Sequence, residues 1–285
     1  MLRRGLTLEF VIRFDDRVVI VTGAGRGLGA AYAELLARRG ATVVVHDAGV
    51  ERDGSGGDPE IAARVARAIV SAGGVAESAA QNLASREACD ELISGVLSTH
   101  GRIDALVQSA GIVRYAGIAD TPDSEWHRMQ QINVDAAWWL CRAVWPSMRE
   151  REFGRIVLTT SGFALRPIPG ADVTGYSVGK AALVGLMNGL AAEGAPHRIL
   201  VNCIEPVAAT RIFRREVGKH EMTPESVAPA AALLASEECR WSGQILVAQD
   251  GEFAFDRMVR TQPSQAATPE DLLDLATRDA PDLSL

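Results

Sequence analysis

The stretch Arg17-Val-Val-Ile-Val-Thr-Gly-Ala-Gly-Arg-Gly-Leu-Gly29 decides the fold. Its first part is an unbroken β-branched run, the pattern of a strand buried on both faces. Its second part is a glycine-rich turn. Alanine and leucine then recur at helical spacing up to Arg39 and stop at Gly40, a helix C-cap signal. Strand, glycine turn and helix in that order suit a pyrophosphate. The glycines allow a tight turn and close backbone approach, and the helix N-terminus offers unpaired N–H groups with a partial positive charge. Gly23, Gly25, Arg26, Gly27, Leu28 and Gly29 are the candidate contacts, a plain flexible turn being the alternative.

The pattern repeats along the chain. Residues 41–46 predict a second strand, followed by a Gly/Asp-rich loop and a helix from Pro59 to about Ser71. Strands are predicted at 75–80, 103–107, 155–160, 199–204 and 244–247, with helices at 86–99, 124–149, 176–193 and 224–235 between them. Repeated β-α units of this length require right-handed crossovers and a parallel sheet covered on both faces. The expected architecture is α/β: a single Rossmann-type, doubly wound parallel sheet of about seven strands. Residues 14–252 form this domain, 1–13 an N-terminal extension, and 253–285 a tail opening a short helix at Thr268-Pro-Glu-Asp.

Bulk properties bound the partners. The 285 residues are 47% apolar and 23% charged, enough for one large α/β domain. A net charge of -7 argues against nucleic acid. Met1 to Phe14 makes a poor signal peptide, and no apolar run is long enough to span a bilayer, so a cytoplasmic protein without membrane contact is expected. Cys89, Cys141, Cys203 and Cys239 form no metal-type pair, and each falls in a segment that reads as helix or strand, so they read as buried hydrophobes and no metal is expected.

Two further features carry chemistry. The second strand ends at Asp47, about 18 residues after Gly29, where a carboxylate accepts hydrogen bonds from adenosine ribose and repels a 2′-phosphate. That favours NAD over NADP, although Arg26 in the turn is suited to such a phosphate. Tyr176-Ser-Val-Gly-Lys180 places a phenol and an ammonium on one helical face. The ammonium, together with the cationic ring of NAD⁺, is expected to lower the phenol's pKa towards neutrality and make it a usable acid or base.

With these motifs in these places, residues 14–252 resemble the short-chain dehydrogenase/reductase family. The resemblance implies hydride transfer between a secondary alcohol or ketone and a nicotinamide cofactor, with Tyr176 as acid/base and Lys180 as its partner and ribose contact. It implies that Ser161 binds the substrate oxygen, with Thr160 as substitute, and that Asn133 anchors a water leading from Lys180 to solvent. Asn82, Leu83, Ala110, Gly111, Pro206 and Thr210 complete the implied cofactor contacts. Gln108-Ser109, Asn82 and Glu205-Pro206-Val207 depart from the family's usual residues, so the structural role of an asparagine falls to Gln108 or is lost.

Val43-Val-Val-His-Asp47 with its long loop, Gly154-Arg-Ile-Val-Leu-Thr-Thr-Ser161, Val227-Ala-Pro229 and Thr268-Pro-Glu270 are similar to the (3R)-hydroxyacyl-CoA dehydrogenase unit of peroxisomal multifunctional β-oxidation enzymes. Acyl-CoA is therefore the first substrate expectation. A basic run from Arg211 to His220 is either a contact for coenzyme A phosphates or a solvated loop, and Phe163, Ile168, Ile212 and Phe213 are candidate pocket residues. The alternatives are an NAD(P)-dependent ketone reductase acting on an acyl carrier protein, steroid or terpenoid, and a nucleotide-binding protein without chemistry. Trp138, Trp139 and Trp145 pack either in the core or, as the resemblance implies, against another subunit of a homodimer or homotetramer.

Overall fold

The structure is a computed structural model that describes residues 12–51, 55–209, 222–258, 265 and 267–271. Its centre is an eight-stranded sheet. The strands are β1 (Val18–Thr22), β2 (Thr42–His46), β3 (Val75–Ala79), β4 (Ala105–Gln108), β5 (Gly154–Thr159), β6 (Ile199–Val207), β7 (Ile245–Gln249) and β8 (Glu252–Asp256). Their order is β3-β2-β1-β4-β5-β6-β7-β8, parallel except for β8.

The helices are α1 (Gly27–Arg38), α2 (Glu60–Ser71), α3 (Arg86–His100), α4 (Asp123–Gln130), α5 (Ala136–Glu150), the single turn α6 (Gly162–Leu165), α7 (Thr174–Gly194) and α8 (Pro224–Ala235). The β-branched runs are continuous because both sheet faces are covered. Val19, Val21, Val43, Val45 and Val157 point to a core shared with α1, α2 and α8. Val18, Ile20, Val44, Leu106 and Ile156 point to the opposite core, shared with α3, α5 and α7. One strand thus feeds two cores by its period of two.

Three expectations need correction. The sheet has eight strands rather than about seven, because residues 252–256 pair antiparallel with β7. Asp250 and Gly251, both at positive φ, form the two-residue turn that makes this hairpin. Helix 124–149 is interrupted by a π-helical segment, Gln131–Asp135. Cys239 lies between α8 and β7, outside any helix or strand, although all four thiols are free and buried as expected. Among the described residues no helix is long and apolar enough to cross a membrane.

Candidate active site

The winding of the sheet reverses between β1 and β4, so a crevice opens over their carboxyl ends, the usual ligand position in such sheets. Two cavities occupy it, of about 210 and 230 Å³, and Leu28, Ser109 and Gly111 belong to the walls of both. Gly23, Arg26, Gly27, Gly29, Asp47, Asn82, Leu83 and Ala110 line the first. Ser161, Tyr176, Lys180 and Pro206 line the second.

The first cavity is built for close approach. Gly23 has φ +67°, and a Cβ there would fall 2.8 Å from the Ala110 backbone. A Cβ on Gly29 would fall 2.2 Å from the Gly23 carbonyl oxygen. Helix α1 begins with no side-chain cap and no acidic residue in its first turn. Its N-terminal N–H groups are thus left to an anion, and the cradle fits a dinucleotide pyrophosphate. Gly25 lies outside the cavity wall, and its N–H donates to Asp47 Oδ2 at 2.9 Å. The other oxygen of Asp47 accepts from Gly49 N–H at 2.8 Å. One carboxylate therefore ties the end of β2 to the glycine turn and still borders the cavity. Asn82 Oδ1 accepts from Ala84 N–H at 3.1 Å, and Arg26 donates to the Val50 carbonyl at 3.4 Å.

The departures from the family pattern are accommodated. Gln108 donates through Nε2 to the Ala110 carbonyl at 2.7 Å, and its main-chain carbonyl accepts from the Thr159 hydroxyl at 2.7 Å. Thr22 Oγ1 accepts from the N–H groups of Ser109 and Ala110, each at 3.2 Å. Gln108 and Thr22 together lock the turn after β4. The Thr22 contribution was not foreseen from the sequence.

In the second cavity Ser161 and Tyr176 stand together, and the Ser161 hydroxyl acts to pull the phenol's pKa down. Ser161 also N-caps α6, its Oγ accepting from Phe163 N–H at 3.4 Å. The Phe163 ring stands edge-on to Tyr176, with centroids 6.4 Å apart. Thr160, also in the wall of this cavity, has its hydroxyl buried and donating to the Lys180 carbonyl at 2.9 Å. Lys180 Nζ donates to the Thr159 carbonyl at 2.7 Å and lies 5.7 Å from the centre of the Tyr176 ring.

The expected acidification of the phenol is not found. Burial pushes Tyr176 up to about 12, against the Ser161 hydroxyl that pulls it down. Burial also lowers Lys180 to about 8, so the ammonium is only partly charged just above neutrality, and it is directed at Thr159.

Asn133 lines neither cavity. It sits fully buried in the π-helical segment, where its amide donates to the Ile112 carbonyl at 2.9 Å and accepts from Ile112 N–H at 3.0 Å. Its side chain holds the loop after Gly111 in place. Ile168 lines the second cavity beside Phe163. Thr210, Ile212, Phe213 and the basic run 211–220 lie outside the described residues. Of the tryptophans, Trp139 and Trp145 pack partly on the core, while Trp138 is exposed.

The chain belongs to the short-chain dehydrogenase family, whose model matches residues 17–221. It is an oxidoreductase acting on CH–OH groups, of a family that uses nicotinamide cofactors and small-molecule substrates. It is 35% identical over 272 residues to peroxisomal multifunctional enzyme type 2 of Mus musculus, covering 92% of this chain but only 36% of that protein. A short chain dehydrogenase from Mycobacterium avium superposes with a TM-score of 0.79 at 33% identity, over 93% of this chain and 94% of the other. A metagenomic short-chain oxidoreductase in complex with NADP superposes with a TM-score of 0.67 at 33% identity, over 78% and 91%.

Proposed function

We propose that the protein is an NAD-dependent dehydrogenase that oxidises a secondary alcohol, with a (3R)-hydroxyacyl-CoA as the substrate class. The observation that carries the chemistry is the placing of Ser161, Tyr176 and Lys180 in one cavity whose walls join those of the glycine-turn cradle. The substrate class rests on similarity to the multifunctional enzymes, together with a pocket edged by Phe163 and Ile168. The preference for NAD rests on the Asp47 carboxylate at the first cavity. An NADP-dependent ketone reductase is the second reading, favoured by Arg26 in the same wall and by the NADP-bound neighbour.

The glycine turn, Asp47, Asn82 and Leu83 would hold the adenosine and pyrophosphate, and Lys180 and Pro206 would border the nicotinamide half. A bound nicotinamide supplies the acceptor for the hydride that leaves the carbinol carbon. Ser161 orients the substrate oxygen. For oxidation Tyr176 must first lose its own phenolic proton, which a neutral Lys180 would pass to solvent; the resulting phenolate then accepts the hydroxyl proton as the C–O bond becomes a carbonyl. In the reverse direction the neutral phenol, pushed up to about 12, is already the proton donor. The assignment is tested by supplying NAD⁺ or NADP⁺ with 3-hydroxybutyryl-CoA of each hand and with simple secondary alcohols. Turnover of the R thioester with NAD⁺ is expected, and preference for a simple alcohol or for NADP⁺ would overturn it. The cytoplasm and a homodimer or homotetramer are proposed as the setting, the latter through the exposed Trp138 face of α5.

A further inference from the structure

The cavity that holds Ser161 and Tyr176 has a charged corner the proposed chemistry does not use. Ser161 and Arg166 are the two ends of one helical turn: Ser161 N-caps α6, and Arg166 N–H closes it on the Gly162 carbonyl at 3.1 Å. From there the Arg166 guanidinium reaches two strands, with Nη2 donating to Glu205 Oε1 on β6 at 2.6 Å and Nη1 to Asp256 Oδ2 on β8 at 2.8 Å. Glu205 is completely buried. A Cβ on Gly162 would come within 2.7 Å of Glu205 Oε1, so the carboxyl packs against the residue that follows Ser161. The second oxygen of Glu205, Oε2, is buried without a hydrogen-bond partner, so Arg166 is what anchors this carboxyl. Burial raises Glu205, and Arg166 works against that rise. A buried carboxyl between Ile204 and Pro206 is costly, and sheet packing at this position does not call for one. Arg166 and Glu205 both border the reaction cavity.

We infer that Arg166, Glu205 and Asp256 are positioning residues that clamp the α6 turn and thereby hold Ser161 Oγ against the Tyr176 phenol. The inference rests on the reading of Ser161 as a catalytic group. It makes the β7–β8 hairpin part of the catalytic unit, because Asp256 is the far end of the clamp.

The test uses the full chain with acetoacetyl-CoA and NADH, and two readouts. Arg166→Gln should lower kcat by roughly 30-fold with little change in KM for NADH, since small misplacements of a reacting group cost that order of rate. Arg166→Lys should restore most of the loss. In a Ser161→Ala background the same Arg166→Gln change should alter kcat less than about 2-fold, because both changes remove one interaction. Hydrogen exchange of the peptide covering 161–166 should quicken in Arg166→Gln and in Asp256→Asn, whatever the substrate. Equal losses in both backgrounds, or unchanged exchange, would overturn the clamp while leaving the proposed chemistry standing. Full activity in Ser161→Ala would instead overturn the catalytic reading of Ser161, and the inference with it.

Discussion

Lys180 Nζ donates to the main-chain carbonyl of Thr159 at 2.7 Å, so a lysine with 3% exposure is held by the end of β5. Burial lowers its pKa from 10.5 to about 8. A lysine lowered in the folded state costs stability below the folded value, and the cost vanishes as pH rises through about 8 to 10.5. That gap corresponds to about 3 kcal/mol, from which about 2 is subtracted for the Thr159 carbonyl left without its donor. Lys180→Met should therefore abolish turnover yet be more stable than the parent by on the order of 1 kcal/mol at pH 7. Urea unfolding at pH 7 and pH 10 checks this. The advantage of the variant should be lost or reversed at the higher pH, and a difference independent of pH would refute the buried-charge account.

Tyr176→Phe removes only the hydroxyl of a side chain packed edge-on against Phe163, so the fold should be unaffected. Turnover should fall by about 10³-fold or more, the usual scale for loss of a positioned acid or base. NADH affinity, measured by fluorescence titration, should change less than about 3-fold. Comparable activity in the variant would exclude the assigned role.

Ser161 and Thr160 are adjacent hydroxyls with different partners, and paired substitutions separate them. Ser161→Ala removes the hydroxyl beside Tyr176 and should lower kcat by roughly 10²-fold. Thr160→Val removes a buried bond to the Lys180 carbonyl and should cost about 1 kcal/mol of stability with kcat within several-fold of the parent. The reverse pattern in steady-state rates and melting curves would move the substrate contact to Thr160.

The sheet, the glycine turn and the Tyr176–Lys180 pair were legible because each rests on local periodicity or on spacing along one helix. Strand β8 was missed although Asp250-Gly251 is a strong hairpin signal, since Phe253 and Phe255 are exposed and the segment lacks the continuous apolar run of the central strands. The rise of the Tyr176 phenol is not legible in sequence, because the burial that causes it comes from parts of the chain far away. The Arg166–Glu205–Asp256 cluster joins residues up to 90 positions apart, and only Glu205 beside Pro206 hinted at it. The side-chain amide of Asn133 is engaged with Ile112, a pairing set by the π-helical turn rather than by any pattern in sequence.

Trp138 is 53% exposed on α5, beside a groove formed with Trp145, Pro146, Leu186 and Leu190 and edged by Arg142 and Glu193. An apolar groove with one cation and one anion at its rim is suited to a second copy related by a two-fold axis. Trp138→Glu should shift the chain to a smaller species by light scattering at micromolar concentration. An unchanged mass would rule this face out as the proposed contact between copies.

Asp47 accepts from the N–H groups of Gly25 and Gly49, which gives the carboxylate two separable tasks. As a negative charge at the first cavity it should oppose a 2′-phosphate, and as an acceptor it should hold the glycine turn in shape. Asp47→Asn keeps one acceptor oxygen and removes the charge, so it should weaken NAD binding modestly and raise the relative affinity for NADP about 10-fold or more. Asp47→Ala removes both acceptors and should weaken NAD and NADP alike, with about 2 kcal/mol or more lost from the turn, since hydrogen bonds to charged groups are the stronger ones. Arg26→Ala should then lower NADP affinity specifically in the Asp47→Asn background, where no carboxylate repels the 2′-phosphate. Titration of five chains with both cofactors, Arg26→Ala alone included, checks all three statements. Equal cofactor ratios in the parent and Asp47→Asn would show that discrimination resides elsewhere, whereas a collapse of both affinities in Asp47→Asn would show that the turn needs both carboxylate oxygens and that charge is secondary.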